Sequence, residues 1–309
     1  MPPPTTAHLF FLGLCSQRGI GFDTLRKLGG PRGIARQLET DGGGTLEVSP
    51  GRVIGGEDLG DILEAGIRLY EDLDVRGCFL VGEDDLGYPS VFASMPDALR
   101  PQWFFAKGNL SLLERPGIAV VGTRSPTPKG TFLTQFASSV VRELMCPLIS
   151  GLAIGVDSTA HEWSLQTFTP NISILGTGIL RTYPAKNTEL ADHIVSEGGL
   201  LVSEYLPDAS PNAESFVWRN RLQAAAAACV VAPEWKRSSG TAHTIRFAKR
   251  FGRPTVNLSL DGVLPESDHG IADRTFEVPS QYQELSAFLN KCLIDYDILP
   301  ALTQRRLFG

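Results

Sequence analysis

Residues Ile118–Gly130 read IAVVGTRSPTPKG. A short apolar run stops at Gly122 and an amphipathic segment follows, which is how a dinucleotide-binding unit opens. The G-x-G-x-x-G fingerprint is absent, and so is the P-loop G-x-x-x-x-G-K-[ST]. Arg124 stands where the pyrophosphate of a dinucleotide needs small residues. The stretch predicts a strand, a tight turn and a helix that together hold something other than a nicotinamide or ATP.

Outward from this turn the same pattern repeats. Apolar runs fall at 118–122, 146–150, 172–176, 199–203, 229–233 and 254–258. Helical patterns lie between them: Phe132, Phe136, Val140 and Leu144 at four-residue spacing, then NTELADHIVSE, RLQAAAAAC and GTAHTIRFAKRFG. Short continuous apolar strands separated by helices predict an α/β fold with a doubly wound, mostly parallel sheet. Upstream, CFLVGE and WFFAKGN read as short strands. The first 75 residues read as short helices broken by glycine turns, with Phe22, Leu25 and Leu28 on one face, then Ile34 and Leu38. Gly19-Ile20-Gly21 is either a helix-hairpin-helix turn, whose amides hold a DNA phosphate, or a plain helical hairpin. DGGGTLEVSPGR reads as a loop. The predicted division is a small helical domain over 1–75, an α/β domain over 76–290 and a tail over 291–309.

In an open parallel sheet, ligands bind beyond the carboxyl ends of the strands. Those ends carry Gly122, Thr123 and Arg124; Gly151; Gly176-Thr177-Gly178; Glu204 and Tyr205; and Ser239-Gly240-Thr241 at a helix start. Glycine admits close approach to the backbone. Helix N-termini suit phosphate, and arginine adds a bidentate contact or stacks on a base. The expected ligand is anionic and nucleotide-like. In SFVWRNR, Arg219 and Arg221 flank Asn220 beside Phe216 and Trp218; cations tracking phosphates and rings stacking on bases suit single-stranded nucleic acid. An ordinary helix start with solvated arginines has the same composition. Asp157 and His161, at i and i+4, read either as a helix cap with a local hydrogen bond or as a general-base pair without a nucleophile. Glu204 is expected to orient Arg219 or Arg221.

Composition narrows the class. The chain of 309 residues is 42% hydrophobic with net charge −6. Residues 119–256 alone carry a positive balance, 13 basic against 10 acidic, while residues 1–118 carry 11 against 16 and residues 257–309 carry 4 against 8. No apolar run approaches the roughly 18 residues of a membrane helix, and the N-terminus has no basic start or cleavage site of a signal peptide. The five cysteines are scattered and form no C-x-x-C, so neither a disulfide framework nor a metal site is expected, and the thiols point to the cytoplasm. No cofactor is implied.

The motifs, taken in order, resemble those of the DprA/Smf family of DNA-processing proteins. The resemblance rests on YPSVFASMPDALRPQWFFAKGNLSLLERPGIAVVGTRSPTPKG, ISGLAIGVDSTAH, ILGTGILRTYPAKN, LLVSEY, PNAESFVWRNR and RSSGTAHT, covering about 85 to 258. It implies a Rossmann-like fold of the SLOG superfamily, preceded by a small SAM-like or helix-hairpin-helix-like domain. It further implies a non-enzymatic homodimer that binds single-stranded DNA and hands it to a RecA-type recombinase in natural transformation and recombination. It assigns Gly122, Thr123 and Arg124 to the DNA pocket, with Gly151, Tyr183, Asn187, Arg219, Asn220, Arg221, Ser239 and Gly240 on the same surface; the strand-end and aromatic readings add Thr241 and Phe216. Val217 and Trp218 stand where the family often has Pro-Arg or Pro-Lys, exchanging a cation for a ring. The final residues leave no room for the winged helix of many members. These departures keep open a role in phage defence or on a mobile element. Two alternatives also stand: a sensor of a nucleotide-derived signal, and a LOG-like nucleoside-monophosphate phosphoribohydrolase. The latter is disfavoured because Ala242, His243 and Thr244 follow Gly240-Thr241 where that chemistry needs a glutamate.

Overall fold

The computed structural model describes residues 3–40, 44–262 and 271–307, with side chains to residue 296. The N-terminal region contains helices α1 (Thr6–Cys15), α2 (Phe22–Leu28), α3 (Gly30–Thr40) and α4 (Glu57–Val75). Leu25 and Ile34 are buried as the periodicity required. The segment read as a loop is instead a hairpin, β1 (Thr45–Ser49) and β2 (Arg52–Gly55), paired antiparallel; its first residues, 41–43, lie outside the described set. The cause is the alternation in Thr45-Leu46-Glu47-Val48, which buries Leu46 and Val48 on one face while the glycine run before it draws the eye.

The main sheet follows. Its strands are β3 (Cys78–Gly82), β4 (Trp103–Gly108), β5 (Gly117–Val120), β6 (Leu148–Ser150), β7 (Asn171–Ile174), β8 (Leu200–Ser203), β9 (Ala227–Ala232), β10 (Thr255–Leu260) and β11 (Arg274–Val278). Among the described residues it has nine strands in the order β11-β10-β9-β5-β6-β7-β8-β4-β3. The pairs from β11 to β8 are parallel; β3 and β4 add an antiparallel edge. The connecting helices are α5 (Ser90–Ala93), α6 (Pro128–Glu143), α7 (Val156–Gln166), α8 (Thr188–Ser196), α9 (Ala213–Ala226), α10 (Thr241–Arg250) and α11 (Tyr282–Leu307). From β5 the chain winds outward through β8, and α9 then carries it back to β9 on the other side of β5. The order reverses between β5 and β9, so a crevice opens there at the carboxyl ends.

Three details differ from the periodicity reading. In α6 the buried face is Leu133, Ala137, Val140 and Val141, while Phe132 is exposed, because residues four apart drift around a helix of 3.6 residues per turn. The alanine run is not all helix: Ala224–Ala226 close α9 and Ala227 and Ala228 open β9 with no loop between. Edge strand β11 has only two buried residues and so shows no apolar run, and α11 passes straight through position 291, where the tail is expected to start.

One buried ion pair fixes α9 against the rest. Arg221 is fully buried, and its Nη2 donates to both Glu204 carboxylate oxygens at 2.6 and 2.5 Å. Its Nε donates to the Leu99 carbonyl at 2.8 Å and its Nη1 to the Trp218 carbonyl at 3.0 Å. The guanidinium also lies 4.0 Å from the Trp218 ring centroid. Removing one partner of such a pair strands a buried charge. Arg221→Ala is therefore expected to lower unfolding free energy by about 3–5 kcal/mol, read as a fall in the urea midpoint. A shift within error would mean that Glu204 finds water or another partner.

Candidate nucleic-acid interface

A cavity of about 620 Å³ occupies the β5–β9 crevice. Its first wall is the turn after β5. The Thr123 amide donates to the Glu234 carbonyl at 2.8 Å, and the Thr123 carbonyl accepts from the Val156 amide at 3.1 Å. The Glu234 carboxylate in turn accepts from the Thr127 amide and hydroxyl at 2.9 and 3.2 Å, pinning the start of α6. Gly122 fits because a Cβ there would come within 2.6 Å of a Val156 methyl carbon. This clamped turn holds Arg124 at the rim, where it is exposed. Its guanidinium lies 5.3 Å from the Phe216 ring centroid, and the Tyr183 ring follows at 5.5 Å from Phe216. Cation, ring and ring form a short ladder at the mouth.

The second wall is α9, whose start is capped by the Asn212 side chain accepting from the Ser215 amide at 2.8 Å. At about 100° per residue, Phe216, Arg219, Asn220 and Gln223 share one face, and Trp218 and Arg221 take the opposite one. The first set lines the cavity. Asn220 donates to the Gly240 carbonyl at 3.1 Å, tying α9 to the third wall, formed by Ser239, Gly240 and Thr241 at the start of α10.

Arg219 is buried, and its Nη1 donates to the Ile174 carbonyl at the end of β7. A side chain at Gly151 would overlap this guanidinium, so Gly151 serves the site from behind without lining it. Burial lowers the Arg219 pKa while Asp157 opposes the change, and burial raises the Asp157 pKa while Arg219 opposes it.

Two residues expected on this surface stand elsewhere. Arg221 is on the far side of α9 in the ion pair described above, since two residues along a helix turn a side chain most of the way round. Asn187 is buried and donates to the Leu152 carbonyl at 2.8 Å, a bond that holds the loop after β6. The Asp157–His161 pair does not form either. His161 turns its Nδ1 to Asn171 Oδ1 at 2.9 Å, and the charge that acts on the buried Asp157 carboxyl is that of Arg219. Glu204 does orient an arginine, Arg221. Gln223, Asp157 and Thr244 line the cavity without having been expected there. For Gln223 the signal was present in its four-residue distance from Arg219. Among the described residues no group of three or more His, Cys, Asp or Glu side chains could hold a metal, and no helix is long and apolar enough to cross a membrane.

Comparison with known proteins fits this geometry. Residues 79–269 match the family of DNA recombination-mediator protein A. Protein Smf of Synechocystis is 34% identical over 191 residues, 60% of this chain and 47% of that protein. The DNA processing protein DprA of Streptococcus pneumoniae is 34% identical over 205 residues, 65% of this chain and 71% of that protein. The match to the Bacillus subtilis DprA spans 55% of that protein, so the chain aligns with only part of each curated relative. The crystal structure of the Streptococcus pneumoniae DprA superposes with a TM-score of 0.63 at 25% identity, covering 91% of this chain and 98% of that one. The DNA processing protein A of Helicobacter pylori, described for its single-stranded DNA binding mode, superposes with a TM-score of 0.57 at 28% identity, covering 69% and 97%.

Behind the cavity, burial pulls the His161 pKa down to about 4, with Asn171 opposing and Arg219 adding to the fall. As pH drops, the unfolded chain takes this proton near pH 6.5 and the folded one only near 4. Stability from this residue is complete above about pH 6.5 and is lost progressively towards pH 4, by up to roughly 3 kcal/mol. Urea melts at several pH values in that window should show the slope in the parent and a flatter one in His161→Asn, which keeps a donor near Asn171. Equal slopes would assign the acid sensitivity to other groups.

Proposed function

The chain belongs to the DNA recombination-mediator protein A family, and on that premise we propose that its cavity holds single-stranded DNA. The observation that carries the reading is the ladder at the mouth: an exposed Arg124 over the Phe216 ring, with Tyr183 beside it. A cation tracks the phosphate while the rings stack on bases. The start of α10, across the cavity, offers backbone amides to a second phosphate. In this role Gly122, Thr123, Arg124, Tyr183, Phe216, Arg219, Asn220, Ser239, Gly240 and Thr241 face the strand, and Gly151 gives Arg219 its room. Arg219 acts as an internal anchor.

Family membership extends the proposal to a cytoplasmic homodimer that protects incoming DNA and passes it to a RecA-type recombinase during transformation. The protein binds and delivers without catalysis. A phosphoribohydrolase would need a carboxylate after Gly240-Thr241, and the first turn of α10 supplies Ala242, His243 and Thr244.

Anisotropy of a labelled oligonucleotide at several salt concentrations tests the reading. Affinity should fall with a slope of about −0.7 per neutralised phosphate. Arg124→Ala should lower affinity by about 1–3 kcal/mol and make the slope shallower, with the melting temperature unchanged because Arg124 is exposed. A flat salt response, or equal affinity for the duplex, would sink the proposal. Release of free base from AMP would revive the hydrolase.

A further inference from the structure

From Lys236 to Arg250 the chain carries five basic residues and no acidic one, in a protein whose net charge is −6. The stretch begins in the turn after β9 and continues through α10. Ser239, Gly240, Thr241 and Thr244 within it line the cavity, so the cations start at the cavity edge and lead away from it. Lys249 is held by Asp273 at 3.3 Å. Lys236, Arg237, Arg246 and Arg250 are exposed, and among the described residues none of the four has an ion pair or a side-chain hydrogen bond.

The helix sets two of them in line. At about 100° per residue, Arg246 and Arg250 share the outer face of α10 with the half-buried His243, opposite the buried Ile245 and Ala248. Four residues span about 6 Å along the axis, comparable with the step between phosphates of an extended strand.

Stability of the fold does not account for this pattern. Cations near a helix N-terminus oppose the helix dipole, which counts against Lys236 and Arg237. Like charges four residues apart repel, which counts against Arg246 beside Arg250. In α4, by contrast, Glu64 and Asp72 stand four residues ahead of Arg68 and Arg76 and pair with them. Four residues ahead of Arg246 stands Ala242, and four ahead of Arg250 stands Arg246 itself. A row of phosphates offsets all of these costs together, whereas one small anion would meet only part of the row.

Resting on the reading of the cavity as a single-strand site, we propose that α10 extends that site. The strand leaves the cavity over Ser239 and Gly240 and runs down the outer face of the helix, with its phosphates at Lys236, Arg237, Arg246 and Arg250. These contacts are to the backbone, so they position the strand without reading its sequence.

The test compares oligothymidylates of about four and about fifteen nucleotides, titrated against the whole chain by anisotropy at several salt concentrations. The long strand should bind roughly tenfold or more tightly in low salt, from four exposed charge contacts. Its salt slope should be steeper by about 2, the sum for two to four phosphates at about 0.7 each. A longer strand that merely offered more binding registers would gain affinity without gaining slope. Changing Lys236, Arg237, Arg246 and Arg250 together to Gln should erase most of the gain in both affinity and slope. Arg246→Lys with Arg250→Lys, which keeps the charges, should retain it. Should the quadruple variant fail to fold, Arg246→Gln with Arg250→Gln alone should remove about half of the added slope. An unchanged ratio of long- to short-strand affinity and an unchanged slope difference in the Gln variants overturn the track along α10 and leave the cavity reading standing. Absence of binding to either strand by the parent protein overturns both.

Discussion

The cavity depends on the roll angle of one helix, and a buried ion pair sets that angle. Arg221 can reach Glu204 at the end of β8 only when α9 presents that side to the sheet edge and the Leu99 carbonyl. With Arg221 held there, Phe216, Arg219, Asn220 and Gln223 have no choice but to face β5. A rotation of even half a residue spacing would carry Arg219 off Ile174 and Phe216 away from Arg124. The pair adds specificity of geometry whether or not it adds net stability over an apolar substitute. Trp218 belongs to the same clamp, lying between Arg221 and Arg26 of α2 at 4.0 and 4.5 Å from its ring. The ring that stands in place of a family cation thus serves the joint between the helical region and α9, and it is not part of the ladder at the cavity mouth.

Electrostatically the site is layered. The whole chain is acidic at −6, which by itself argues against nucleic acid, yet the cations that matter are few and placed by backbone. Arg124 is delivered to the rim by a turn whose Thr123, Ser125 and Thr127 amides are engaged. Arg219 is kept inside by the Ile174 carbonyl. An exposed cation acts at range and yields to salt, whereas a buried one acts only on what touches it.

Most of this arrangement could be read from the chain, and the failures have physical causes. Strand ends were legible because four of the six apolar runs end in glycine or serine, and an open parallel sheet puts those ends together. What sequence could not supply was direction around a helix axis. Arg219 and Arg221 look equivalent as letters and differ only by the 200° between them. Phe132 looks like core on a four-residue count and drifts outward. Asp157 and His161 are spaced for a bond, but His161 finds a better partner in Asn171, because burial makes tertiary partners outweigh local ones. Asn187 looked like a ligand contact for the same reason: a polar side chain near a strand end is also what a buried loop carbonyl requires. Residues 45–52 read as loop because turn residues crowd a hairpin too short to show more than two alternations.

The missing loop between α9 and β9 has an evolutionary meaning. Elsewhere in the sheet, helices meet strands through loops that can lengthen, and lineages vary such loops freely. At Ala226–Ala227 no such slack exists. An inserted or deleted residue in the second half of α9 would turn the cavity face by a full residue step relative to the strand, or shift the strand register by one. Drift at this joint is confined to exchanging small side chains for one another. The segment from Arg219 to Ala232 is therefore a fixed-length ruler, along which this lineage can change identity but not count.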